Sequence, residues 1–304
     1  MSLRITNQMV SRSVLQDIND ISRRLSSTQQ KLASGKEITR PSDDPFGTSR
    51  ALTLRGDVAA AQQYQRNVTE AVSWQNITDA ALSKMTDAIH RARELTLRGA
   101  SDSLGQPARD AIAAEIDQLV EAVKGEANAS YGGRYVLSGT LTTTKPYSVG
   151  AVDAYAGDNA AIAREIGPGV AVQVNLIGED LLGNGQAAND TLILDNLRDI
   201  AQQLRSGTVT DLNTMRTTGL QNLDSNLDRL VQARATVGAT TNRLEAAELR
   251  LAEVEEAALK LLSDVEDADM AKTMVDFSMQ HSVYQSALQA GSRIVQQSLL
   301  DWLR

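Results

Sequence analysis

The sequence predicts a mainly α protein, an elongated rod of long antiparallel helices built from both chain ends, with a small β-rich domain at its centre. Three observations carry this. All five prolines lie in the first 168 of the 304 residues, so none interrupts a helix in the remainder. Eleven of the 20 glycines fall between Gly125 and Gly185, which marks a turn-rich insert. On either side of that insert, apolar residues recur at alternating steps of three and four, the spacing of a helical seam.

The first helix is expected from about Gln8 to Ser34, with Val14, Ile18, Ile21, Leu25, Thr28 and Leu32 along one face. Gly35 suits a left-handed stop, and Pro41 pushes Arg40 out of the α region. Asp44 is then an N-cap, with Pro45 at the first helical position. The second helix runs from Pro45 toward Arg98, shows Leu82, Met85, Ile89 and Ala92 in heptad spacing, and closes at Gly99. A third starts at Pro107 and places Ile112, Ile116, Leu119 and Val123 on one face.

The centre changes period. Arg134–Ser138 and Val170–Ile177, separated by glycine turns, read as short strands of a small β domain over 138–188. Helical spacing returns from Asp190 with Ile193, Leu197, Ile200 and Leu204, and stops at Gly207. Asp211 is expected to cap a helix reaching Leu262, roughly 78 Å long at 1.5 Å per residue. Leu220, Leu223, Leu227 and Leu230 open its seam. Val237, Leu244, Leu251 and Ala258 continue it at sevens, which implies left-handed supercoiling. The cluster Ser263–Asp269 offers a break and a fresh cap, with Ser263 and Glu266 at capping-box spacing. The last helix carries Met270, Met274, Phe277, His281, Tyr284, Leu288, Gly291, Val295, Ser298 and Trp302 at steps of four and three, with Leu299 beside them. Three domains follow: 1–44 with 265–304, 45–137 with 189–264, and 138–188.

Composition narrows the function. The net charge is −8 and the 30 basic residues are scattered, which argues against nucleic acid as a partner. No 18-residue apolar window exists, so no membrane span is expected, and the opening MSLRITNQMVSR lacks the apolar core of a cleaved signal. With no cysteine, disulfides and thiol chemistry are out. Asp43 and Asp44 are neighbours that cannot face each other on a helix, and capping accounts for Asp44. His90 and His281 have no second histidine nearby and sit at seam spacing, as packed side chains would. Tyr131-Gly-Gly-Arg134 is too short for a phosphate loop, and no Ser/His/Asp set is present. No catalytic, cofactor-binding or metal-binding residue is assigned.

The chain ends read as an assembly surface. Only ten residues are aromatic, and long helices with narrow seams bury little apolar area on one chain, so association is expected. Between Ser278 and Leu300 the only charge is Arg293, amid serines and glutamines that pair on burial without the desolvation cost of ions. Residues 1–45 carry net +2 and residues 265–304 net −2, which permits antiparallel pairing. The expected seam is Val14, Ile18, Ile21, Leu25 and Leu32 against Met274, Phe277, Tyr284, Leu288, Val295, Leu299 and Trp302.

Specific motifs then carry a resemblance. Leu32-Ala-Ser-Gly-Lys-Glu-Ile-Thr-Arg-Pro-Ser-Asp-Asp-Pro45, which holds Gly35, Arg40, Pro41, Ser42, Asp43, Asp44 and Pro45, resembles the N-terminal signature of the bacterial flagellin superfamily. Its last six residues are most similar to the hook-associated members. Trp74-Gln-Asn-Ile-Thr-Asp-Ala-Ala-Leu82, Tyr131–Thr140, Tyr155–Asp158, Val174–Gly178, Val237–Glu245 and Tyr284–Leu303 are similar to later family segments. Phe46-Gly47, where a small aliphatic residue is more usual, and Trp302, where Tyr is common, depart from the pattern. The resemblance implies a secreted structural subunit of the extracellular flagellum that joins hook to filament. Both termini would pair at the innermost radius, with the long helices outside them and the β domain facing outward. It further implies type III export in an unfolded state and a chaperone on the C-terminal helix. The implied partners are copies of itself, hook-associated protein 1 on the hook side and flagellin on the filament side, without cofactor. A filament flagellin and a cytoplasmic coiled-coil binding module stay open as alternatives.

Overall fold

The computed structural model describes residues 7–150, 152–185 and 188–302, with side chains over the same stretches apart from 7, 8, 10, 11 and 293–302. The order is α1 (Asn7–Ser34), α2 (Pro45–Gly99), α3 (Gln106–Ala127), β1 (Ser130–Tyr131), β2 (Arg134–Tyr135), β3 (Ala163–Gly167), β4 (Val170–Gln173), α4 (Gly178–Leu182), α5 (Ile193–Ser206), α6 (Val209–Thr214), α7 (Leu220–Glu266) and α8 (Met270–Trp302). The chain separates into two compact units, one of residues 1–60 with 254–304 and the other of residues 61–253.

Most boundaries follow their punctuation. Gly35 adopts φ +71° and closes α1 through its N–H to the Lys31 carbonyl at 2.9 Å. The Asp44 carboxylate caps α2 by accepting from the N–H groups of Phe46 and Gly47 at 3.0 and 2.9 Å. Gly207 ends α5 in the left-handed region.

Five expectations are corrected. Thr208, not Asp211, caps the next helix, because its hydroxyl accepts the Asp211 N–H at 3.2 Å. That helix does not run through to Leu262 in one ladder. Met215–Gly219 takes a π turn, with the Gly219 carbonyl accepting from Asn196 and the Arg216 guanidinium donating to the Ala100 carbonyl. At the far end α7 runs through Ser263, and Asp269 is the cap of α8, accepting from Ala271 and Lys272 at 3.0 and 3.1 Å. The strands are shorter than expected, four residues at Val170–Gln173 and two at Arg134–Tyr135. His90 and His281 are exposed rather than packed.

In the unit of residues 61–253, one core gathers Leu82, Met85, Ile89 and Leu95 of α2 with Ile116 and Val123 of α3. Leu197, Ile200 and Leu204 of α5 and Leu223 and Leu230 of α7 complete it. A second core lies under the β3–β4 hairpin, whose Ile166, Val172 and Val174 pack with Val68 and Ala71 of α2 and Leu244 and Leu251 of α7. Gly132 and Gly133, both at positive φ, make the two-residue turn between β1 and β2.

A charge cluster fastens the segment around Asp153 to α3 and α5. The fully buried Lys124 ammonium lies 2.8 Å from Asp153 and 3.3 Å from Glu121. Arg198 reaches Asp153, Asp117 and Glu121, each at 2.8 Å. Burial works to raise the Asp153 carboxyl, but hydrogen bonds from Arg198 and Lys124 outweigh it and hold the group below its ordinary value. Glu121 behaves likewise, its burial offset by the Gly150 N–H and by Lys124 and Arg198.

The unit of residues 1–60 with 254–304 holds an antiparallel pair, α1 against α8. Thr28 donates to Gln280 at 2.9 Å across it. Three steps of the seam nearer the chain ends, Gly291 faces α1 so closely that an added Cβ would lie 3.2 Å from Ile18 and 3.3 Å from Val14.

Two outcomes follow. Carboxylates with depressed native values contribute stability above the unfolded value and lose it as pH falls through the native one. Acidification below about pH 4 should therefore unfold the unit of residues 61–253 progressively. Asp153→Asn should cost about 3 kcal/mol there by denaturant titration and flatten that acid limb. Gly291→Val should overpack the terminal pair by about 1–3 kcal/mol. Faster amide exchange in 12–34 and 270–292, with 61–253 unchanged, is the expected readout.

Candidate assembly surface

Along α1, one face is covered beside α8. Val14, Ile18, Ile21, Leu25 and Leu32 are half-buried and Thr28 is buried. On α8 the covered residues are Thr273, Phe277, Gln280, Tyr284, Ala287 and Gly291, again at steps of four and three, with Asp276 half-buried beside them. Phe277 and Tyr284 thus lie on the covered face, whereas Met274 and Leu288 stay exposed, at 56% and 45%. The side chains of Val295, Leu299 and Trp302 lie outside the described residues. Composition alone could not fix this phase, because α8 carries apolar residues on more than one face.

Those extra apolar residues form two flanks. At about 100° per residue, Met270, Met274 and Leu288 fall on one side of the covered face, and Met279 and Val283 on the other. All five are exposed, Met279 at 59%. Between the flanks runs a row of serines whose hydroxyls donate to their own helix. Ser278 bonds the Met274 carbonyl, Ser282 the Ser278 carbonyl and Ser286 the Ser282 carbonyl, at 2.9–3.0 Å. Hydroxyls already satisfied in this way are covered at little desolvation cost.

The signature loop is held from within. The Asp43 carboxylate accepts from the Thr39 hydroxyl at 3.0 Å and the Arg40 N–H at 2.9 Å. The bond from Thr39, then that from Arg40, holds Asp43 below its ordinary value. Asp44 serves α2 as described, Arg40 donates to Gln30 of α1, and Pro41, Ser42 and Pro45 are exposed. Phe46 is exposed at 84%. Glu266, placed by the sequence at capping-box spacing from Ser263, is a buried carboxylate that receives Lys36 and Arg55. Its spacing from Ser263 suggested a cap, and nothing in the local pattern showed that two distant cations converge on it.

Hollows beside the β3–β4 hairpin hold about 170 and 280 Å³ and are not lined by histidine. Among the described residues, no cluster of His, Asp and Glu is placed to hold a metal, and no helix is long and apolar enough to cross a membrane.

Comparison with known proteins agrees with the fold. Residues 5–142 match the bacterial flagellin N-terminal helical region and residues 220–303 the bacterial flagellin C-terminal helical region. Flagellar hook-associated protein 3 of Escherichia coli K12 is 23% identical, the match covering 95% of this chain and 96% of that protein. Flagellin of Bacillus subtilis is 25% identical over 96% of this chain and 98% of that protein. The crystal structure of the flagellar junction protein FlgL from Legionella pneumophila superposes with a TM-score of 0.55 at 15% identity, covering 73% of this chain and all of that one. Helices from both ends that pair with each other, on a chain whose two ends match the two helical regions of one family, place this protein in the bacterial flagellin family.

Proposed function

We propose that this protein is a structural subunit of the bacterial flagellum that joins hook to filament, self-assembling through α1 and α8. The observation that carries the reading is the pair of exposed apolar flanks on α8. A closed two-fold dimer needs one self-complementary patch, whereas uncovered patches on two sides suit head-to-tail contacts that continue from copy to copy. The hook–filament position is supported by the likeness to hook-associated protein 3 of E. coli and by the hook-associated form of residues 40–45.

On this reading, residues 1–44 with 265–304 form the assembly domain, 45–137 with 189–264 a helical rod, and 138–188 an outward β domain. The partners are further copies, hook-associated protein 1 on the hook side and flagellin on the filament side, with an export chaperone on the C-terminal helix. The protein is secreted to the extracellular flagellum, binds no cofactor and catalyses no reaction. A second reading, a flagellin of the filament, is favoured by the likeness to B. subtilis flagellin.

Immunolabelling of detached flagella separates the two. Label confined to a short zone beside the hook supports the junction subunit, and label along the whole filament supports flagellin. Leu288→Asp places a charge on one flank at a residue that is itself exposed. Its monomer should keep wild-type helicity, and cells carrying it should lose filaments and swimming. Normal filaments on those cells would refute assembly through this flank.

A further inference from the structure

The smaller hollow beside the β3–β4 hairpin, of about 170 Å³, lies wholly within the unit of residues 61–253. Glu70 and Trp74 of α2, Arg134 of β2, Arg164 of β3 and Thr142 of the intervening loop line it. Its polar groups are short of acceptors. Trp74 is only 6% exposed, and its indole N–H is buried with no hydrogen-bond partner. Arg134, carried out of the Gly132-Gly133 turn, has no ion pair and no side-chain hydrogen bond among the described residues. Arg164 has only a long contact with Glu70, at 3.7 Å. The neighbouring Thr140 already donates its hydroxyl to Asp158.

We propose that this hollow is a binding site for a small organic carboxylate. Two guanidinium groups and one carboxylate give the lining a net charge of +1, which suits a monoanion better than a phosphate dianion. A guanidinium fork matches the two oxygens of a carboxylate, and the indole N–H gains the acceptor that it lacks. Ile162 and Val174 supply an apolar wall for a short carbon stem. The volume equals that of about five or six waters, enough for a carboxylate and two or three carbons. A ligand held by Arg164 and Trp74 together clamps the hairpin to α2. This site goes beyond the assembly reading and uses none of the residues that carry it.

The chain has two tryptophans, so Trp302→Phe leaves Trp74 as the one indole signal in the NMR spectrum of the full-length protein. Propionate is the probe, titrated at constant ionic strength so that screening does not change. The Trp74 indole proton should move downfield and saturate, with a midpoint of about 1 mM for so small a ligand. Propionamide, of the same shape without the charge, should leave it in place. Arg134→Gln and Arg164→Gln should each weaken propionate at least about tenfold. No saturating movement up to about 100 mM propionate would overturn the proposal. An equal response to propionamide, or unchanged affinity in both arginine variants, would do the same. Tighter binding of inorganic phosphate than of propionate would overturn the assignment to a carboxylate. If Arg164→Gln loosens the hairpin by freeing Glu70, Arg134→Gln decides, because Arg134 is exposed and holds nothing else. None of these readouts involves assembly, so they stand or fall apart from Leu288→Asp.

Discussion

The constraint behind the terminal pair is geometric: two helices can cover only one face of each other. A helix lying against three or four neighbours hides nearly all its apolar side chains, as Ile89 and Leu197 show by being completely buried. A helix with one neighbour hides a stripe. In α1 that stripe is almost all of the apolar content among the described side chains, with Met9 and Leu15 left over. In α8 it is not, and Met274, Val275, Met279, Val283 and Leu288 stay in contact with solvent. The asymmetry makes α8 the side on which further surface remains to be covered.

The unit of residues 61–253 solves the opposite problem. It has enough elements to close a core, and it adds polar connections between helices that a narrow seam cannot provide. Arg93 reaches Asp224, Arg234 reaches Asp79 and Arg91 reaches Glu115. These exposed pairs stabilise little individually. The cluster around Lys124 and Arg198 differs because its ammonium is sealed from water and its carboxylates are shared. Breaking one contact there strands a charge, so the cluster enforces one placement of the Asp153 segment.

Much of this was legible in the sequence because the signals were local. Gly35, Pro45, Gly99 and Gly207 each sit within two residues of a helix end, where backbone sterics act without help from the rest of the chain. The α1 face was legible because its apolar residues fall in one stripe. The α8 face was only partly so, since Met274 and Leu288 fit the same step pattern as Phe277 and Tyr284. When more than one face of a helix is apolar, spacing alone does not say which one a partner has taken. Asp211 and Ser263 were wrong as caps for a related reason. Several residues nearby had the right chemistry, and the choice fell to Thr208 and Asp269 through backbone paths set by Gly207 and by the loop at 35–37. Glu266 was illegible because its partners lie more than two hundred residues away in sequence.

The features of α8 are connected. A helix to be covered later must survive exposure first, and bulky apolar flanks favour indiscriminate sticking before the right neighbour arrives. Side chains of opposite charge would prevent that, but every charge buried afterwards would carry a desolvation penalty. Serine at every fourth position avoids both problems. Each hydroxyl breaks up the apolar surface while the monomer is free, and each already has an acceptor in its own helix when water leaves. Such a face discriminates poorly by itself, since self-bonded hydroxyls offer a partner few directional contacts. Specificity must then come from shape and from the relative height of the two helices.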